Sequence, residues 1–215
     1  MFRAPDHTPR YLKFFSTPAA LAVSALMVPF VPDPKEAGKL VLADPPTSMM
    51  EAIVRGTNDG IGFVASIIAM LMVLVALVSV VNLALGHLPH GGEPVTLQGL
   101  LAYLFWPLLW VIGIPASERG AASHLMATKT VLNEFVAYLD LAQLSPGTLS
   151  ACSKLILTDA LCGFANFGSL GILVGGLTAM APARRHEIVA LAPRSILSGT
   201  LATLMSGALV GLITG

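Results

Sequence analysis

Long uncharged stretches alternate with short polar ones along this chain, and the stretches define its elements. Residues 60–86, GIGFVASIIAMLMVLVALVSVVNLALG, run without one charged side chain. A bilayer core of about 30 Å needs roughly 20 apolar residues in helical form, so this segment predicts a long spanning helix. Residues 14–32 are equally uncharged but carry Pro18, Pro29 and Pro32, which predicts a partial span. Residues 94–117 predict another span, with Tyr103, Trp106 and Trp110 as interfacial anchors. Residues 155–182 are apolar apart from Asp159 and are interrupted midway by CGFANFGSLG, which predicts a broken helix. Residues 195–215 predict a terminal span.

Between the third and fourth spans, residues 118–150 fit neither class. They are too apolar for a solvated loop, yet they carry Glu118, Arg119, Lys129, Glu134 and Asp140. A re-entrant helical hairpin reconciles the two: short half-helices dip into the membrane and return. Non-helical backbone at membrane depth is tolerated only where protein or a water-filled cavity covers it, so the hairpin is expected to pack on the other helices.

Composition agrees with a lipid environment. The 215 residues are 55% hydrophobic and 11% charged, against about 25% charged in soluble domains. Twelve Lys plus Arg balance twelve Asp plus Glu, so no basic excess points to nucleic acid. Cys152 and Cys162 read as buried free thiols rather than a disulfide framework. No leader pattern opens the chain, and insertion is expected to rely on the internal apolar segments. With a hairpin that does not cross, six basic residues fall on each side of the membrane. Only the compact loop ARRHE, 183–187, leans toward the cytoplasm, which would put the C-terminus outside.

Two polar clusters carry the candidate chemistry. In NEFVAY, Glu134 stands beside Asn133. An ionisable group at depth costs about 2.5–3.5 kcal/mol on insertion scales and is normally paired or functional. A structural ion pair with Lys129 is the bland account. A carboxylate beside an amide, with acceptors and donors together, suits a neutral solute rich in hydroxyls. In GFANFGS, Gly163 and Gly168 interrupt the helix and bring Asn166 and Ser169, three residues apart, onto one face, with Phe164 as an aromatic wall. Broken helices of this kind line transporter binding sites; the competing account is a packing surface with an Asn–Ser hydrogen bond. The pairs Gly171/Gly175, Gly207/Gly211 and Gly211/Gly215 read as close-packing devices. His87, His90 and Glu93 are metal-ligand types, but prolines and glycines around them make a turn, and no metal site is expected. No phosphate-binding Gly loop or nucleophile elbow occurs, and the chain does not read as an enzyme.

ATKTVLNEFVAY at 127–138, followed by ALCGFANFGSLGI at 160–172, resembles the concentrative nucleoside transporter family, cation-coupled nucleoside symporters. Weaker matches occur at 16–29, 56–82 and 110–118, so the resemblance covers nearly the whole chain but only the C-terminal half of the family's architecture. It implies an all-α integral membrane fold of four to five transmembrane helices plus one re-entrant hairpin, the second half of an inverted-repeat transporter. By the same resemblance, Glu134 and Asn166 hydrogen-bond ribose hydroxyls, Ser169 joins them with Asn133 alongside, and Phe164 packs on the nucleoside. No organic cofactor is implied; the coupling ion is Na+ or H+, and the sodium site belongs to the N-terminal half with its own hairpin. The resemblance further implies a multi-pass protein of the plasma membrane (the inner membrane in a bacterium), trimerising through the scaffold helix 60–86. Departures from the family pattern are Ala127 for Gly, Ala25 for Lys, and an extension at FVPDP. One hairpin without the other is expected to be incomplete for transport by itself. The alternatives are one half of a split transporter, completed by a separate chain, and a non-transporting membrane subunit whose polar residues serve helix association.

Overall fold

A computed structural model describes residues 16–29, 45–88 and 94–214, and within them every regular element is helical. Helix α1, Ser16–Met27, accepts Pro18 in its first turn, where a missing N–H breaks no bond, and it ends just before Pro29. Residues 14–15 and 30–32 of the expected first span lie outside the described residues. Helix α1 packs along the C-terminal helix α8, Arg185–Thr214, through two hydroxyl pairs: Ser16 with Ser206 at 3.0 Å and Ser24 with Ser198 at 2.9 Å.

Helix α2, Met49–Gly86, starts well before the expected residue 60. Ser48 caps it by accepting from the Glu51 backbone N–H, and the Glu51 carboxylate accepts in turn from the Thr47 backbone and hydroxyl. Its 38 residues extend about 57 Å at 1.5 Å per residue, longer than a bilayer core. At its far end the Asn82 side chain accepts from the Leu97 backbone N–H at 2.8 Å and donates to Gln98 at 2.9 Å. That fastens α2 to the start of α3, Leu97–Val111. Helix α3 is shorter than the expected span 94–117: Gly113, at φ +94°, turns the chain out of it. Tyr103, Trp106 and Trp110 point outward, and Trp106 carries the Arg119 guanidinium 4.6 Å from its ring centre.

Residues 119–143 form two short helices, α4 (Arg119–Val131) and α5 (Glu134–Gln143), broken at Leu132 and Asn133. After a turn at Gly147, α6 (Ala151–Leu161) and α7 (Phe167–Met180) follow, separated by a non-helical joint. The last connection corrects an expectation. Instead of a loop at 183–187, a single 3-10 turn over Pro182–Arg184 leads directly into α8, so Arg185, His186 and Glu187 are helical. Arg184 clasps Glu187 with two hydrogen bonds of 2.8 Å, a negative charge held in the helix's first turn. Pro193 sits inside α8 without ending it.

The core lies where α3, α4, α6 and α8 meet, around Leu109, Ile114, Met126, Leu157, Leu161 and Leu204. The glycine pairs divide. Cβ atoms on Gly207 and Gly211 would lie 2.9 Å from Ile156, so these glycines do bring α8 onto α6. Gly171 faces Met70, whereas Gly175 meets nothing within 4 Å, and Gly215 lies outside the described residues. Among the described residues, α2 and the helical stretch 182–214 are long and apolar enough to cross a membrane.

Candidate functional site

The site is assembled from helix ends. A helix N-terminus presents four backbone N–H groups without intrahelical partners and a partial positive charge. Two such ends converge here. Asn133 caps α5, its Oδ1 accepting from the Val136 N–H at 2.9 Å. Asn166 caps α7, its Oδ1 accepting from the Ser169 N–H at 2.7 Å. Ser169 completes a capping box by accepting from the Asn166 N–H at 3.2 Å. Its own proton is directed at the joint's carbonyls, Asn166 O at 2.7 Å and Phe164 O at 3.0 Å.

Glu134 is the first residue of α5, where the helix dipole favours its negative charge. The Asn166 Nδ2 donates to Glu134 Oε2 at 3.1 Å and so joins the two helix ends. Each group keeps capacity for a ligand. Glu134 Oε1 has no partner among the described residues, and an amide NH2 has two donors, of which one is engaged here. The pair opens on a cavity of about 240 Å³ walled by Ile67, Met70 and Leu71 of α2, with Phe135, Phe164 and Gly168 completing it.

Gly168 makes the convergence possible. A Cβ there would lie 3.3 Å from Asn166 Oδ1, 3.2 Å from Leu74 and 3.8 Å from the Leu132 carbonyl. Gly163 serves the joint in the same way, since a Cβ on it would collide with the Thr203 methyl of α8.

All five residues expected at the site, Asn133, Glu134, Phe164, Asn166 and Ser169, line this cavity. Their structural duties differ. The oxygens of Asn133, Asn166 and Ser169 are committed to caps, whereas Glu134 Oε1 and the second Asn166 amide proton have no partner among the described residues. Phe164 is 61% exposed and separates this cavity from a second of about 240 Å³, lined by Ala165, Ile172, Leu173, Ser195 and Ile196. The Lys129–Glu134 ion pair that was the bland account of Glu134 does not form; the fully buried Lys129 directs its ammonium to Ala160 O and Thr203 Oγ1. Cys162 is exposed rather than buried because it caps the end of α6. Of the histidine-rich turn, only His87 falls within the described residues, at the C-cap of α2. The α2 wall and Phe135 were absent from the sequence expectation. Phe135 is adjacent to Glu134, and that adjacency was its one available signal.

Residues 13–211 match the family described as Na+ dependent nucleoside transporter C-terminus. The chain is 37% identical to an uncharacterized transporter of Haemophilus influenzae over 216 residues, covering 94% of this chain and 50% of that protein. It is 36% identical to nucleoside permease NupC of Helicobacter pylori over 172 residues, covering 77% of this chain and 41% of the permease. A solved structure of a CNTnw variant in an intermediate state superposes with a TM-score of 0.84 at 38% identity, over 94% of this chain and 50% of that one. The chain thus spans between about a third and a half of the length of the relatives it matches.

Proposed function

Because the chain belongs to the concentrative nucleoside transporter family, of which it represents the C-terminal half, we propose that it forms the ribose-gripping half of a cation-coupled nucleoside symporter. The observation carrying this reading is the Asn166–Glu134 hydrogen bond across two helix N-termini, with one carboxylate oxygen and one amide proton left for a ligand. A ribose offers vicinal hydroxyls, each both donor and acceptor. One hydroxyl donates to Glu134 Oε1, a charge-assisted bond of the stronger kind. Its neighbour accepts from Asn166. Phe164 and Phe135 supply apolar and aromatic wall for the rest of the nucleoside, and Ser169 and Asn133 hold the two ends in register.

Helices α4 and α5, with 13 and 10 residues, extend only about 20 and 15 Å. Neither crosses a bilayer, which favours a re-entrant hairpin. The coupling ion, Na+ or H+, belongs in this reading with the hairpin of the N-terminal half, and no residue of this chain is assigned to it. The exposed apolar flank of α2, including Val64, Ile68, Met72 and Val75, suits a scaffold contact in a homotrimer of the plasma membrane.

The test is uptake of radiolabelled uridine and adenosine in cells lacking nucleoside transporters, with and without a sodium gradient. The chain is expressed alone and beside a polypeptide carrying the N-terminal half of a relative. Saturable uptake that Glu134→Gln abolishes is the expected result. Uptake indifferent to Glu134→Gln overturns the ribose assignment, and no binding or uptake in either format favours the non-transporting subunit.

A further inference from the structure

A charged side chain with no exposed surface needs a physical reason, because burial of an ammonium is costly unless hydrogen bonds compensate it. Lys129 is such a group. Among the described residues it closes no ion pair, although Glu134 acts on it at longer range; its Nζ donates to the Ala160 carbonyl at 3.4 Å and to Thr203 Oγ1 at 3.3 Å. Ala160 belongs to the last turn of α6, whose final carbonyls have no intrahelical donors and carry the negative end of the helix dipole. Another of those carbonyls, Thr158 O, accepts from the Tyr138 hydroxyl at 2.6 Å, and a third, Asp159 O, accepts from the Cys162 N–H at 3.2 Å.

The two side-chain donors come from opposite arms of the α4–α5 pair. Lys129 lies in the last turn of α4 and Tyr138 in the middle of α5, so they flank the break that carries Asn133 and Glu134. Their acceptors sit at the end of α6, just before the joint that carries Asn166. Thr203 closes the loop of contacts. It accepts from Lys129, donates to Thr200 O at 3.0 Å, and sets its methyl against Gly163 inside that joint.

We propose that Lys129 and Tyr138 are positioning residues that fasten both arms of the α4–α5 pair to the end of α6, and thereby set the Glu134–Asn166 spacing that a ligand meets. The proposal rests on the ribose reading for what the ligand is, but the clamp itself involves only this chain. Removing either donor leaves an α6 carbonyl unsatisfied and frees the two helix ends to shift relative to one another.

Hydrogen exchange on the full chain in lipid nanodiscs tests it, with Lys129→Met and Tyr138→Phe as shape-conserving deletions of each donor. The expected result is faster exchange at residues 133–136 and 161–169 together, by roughly tenfold for the loss of one buried hydrogen bond, while the α1–α8 contact is unchanged. Where uptake is measurable, KM for uridine rises about tenfold and the maximal rate stays within about twofold. Loosening confined to 151–160, with both helix ends unchanged, marks a merely structural role and overturns the proposal. So does unaltered exchange in both variants. If Lys129→Met does not fold, Tyr138→Phe decides alone. Because exchange needs no nucleoside, helix ends that loosen while uridine is neither bound nor taken up, with or without the N-terminal half of a relative, would sink the ribose reading and leave the clamp intact.

Discussion

Asn166 holds two helix ends at once: its Oδ1 caps α7 through the Ser169 N–H, and its Nδ2 reaches Glu134 at the start of α5. In the proposed ribose reading, capping and ligand recognition therefore use different atoms of one side chain, and substitutions can separate them.

Asn166→Ser keeps an oxygen for the cap and deletes the amide donor to Glu134. Stability is expected to stay within about 1 kcal/mol, because Ser caps as well as Asn. Uridine affinity is expected to fall about tenfold, since the amide donor is gone. Asn166→Ala loses both functions and adds a cap loss of about 1–2 kcal/mol. Thermal melts in detergent beside uridine binding separate the two effects. Equal melting temperatures for the Ser and Ala variants would refute the division of labour.

The joint before Asn166 is governed by Gly163. A Cβ there would strike the Thr203 methyl and also lie 3.2 Å from Thr203 Cβ. Thr203 is β-branched and its hydroxyl is engaged on both sides, so it has little freedom to turn away. Gly163→Ala is expected to cost about 1–3 kcal/mol as overpacking. Thr203→Ser deletes the methyl and keeps the hydroxyl, so the double variant is expected to recover most of that loss. A double variant no more stable than Gly163→Ala would mean that the glycine answers a backbone demand instead.

How much of this was readable in the sequence depends on whether the signal was local. Gly163 and Gly168 interrupt an apolar run, and the chain does leave helical geometry between Leu161 and Phe167. Asn133 and Asn166 each stand just before a helix, which is the sequence signature of a cap, although they were read as ligand groups first. The start of α2 was not read because Arg55, Asn58 and Asp59 break the apolar run that follows the Ser48–Glu51 capping signal, so the uncharged pattern starts only after them. The start of α8 was missed because ARRHE is charged and Pro193 follows, which suggests a loop even though the helix runs through both. The partners of Lys129 lie 31 and 74 residues away in the chain. No spacing rule reaches that far, so the nearby Glu134 was the only partner the sequence could offer, even as the bland alternative. The α2 wall of the cavity is invisible for the same reason.

A last prediction concerns the mouth of the α4–α5 pair, outside the long apolar helices. Glu118 starts α4, but its carboxylate turns to the start of α6, where Ser150 Oγ donates to it at 3.2 Å. Desolvation pushes this carboxyl up, yet hydrogen bonds from the Ser153 hydroxyl and from the Ser150 N–H and hydroxyl outweigh it and hold the group below the usual carboxylate range. A folded-state value below the unfolded one means the stabilisation is complete above the ordinary value of about 4.3 and is lost as pH falls through the lowered one. Because the group is well solvated, the contribution is expected to stay under about 1 kcal/mol. Glu118→Gln should therefore melt slightly lower than the parent at neutral pH, and the difference should shrink as the pH is taken from about 5 to about 3. Melting curves across that range check it. A gap that stays constant or widens on acidification would show that the carboxylate's charge does not hold α6 to α4.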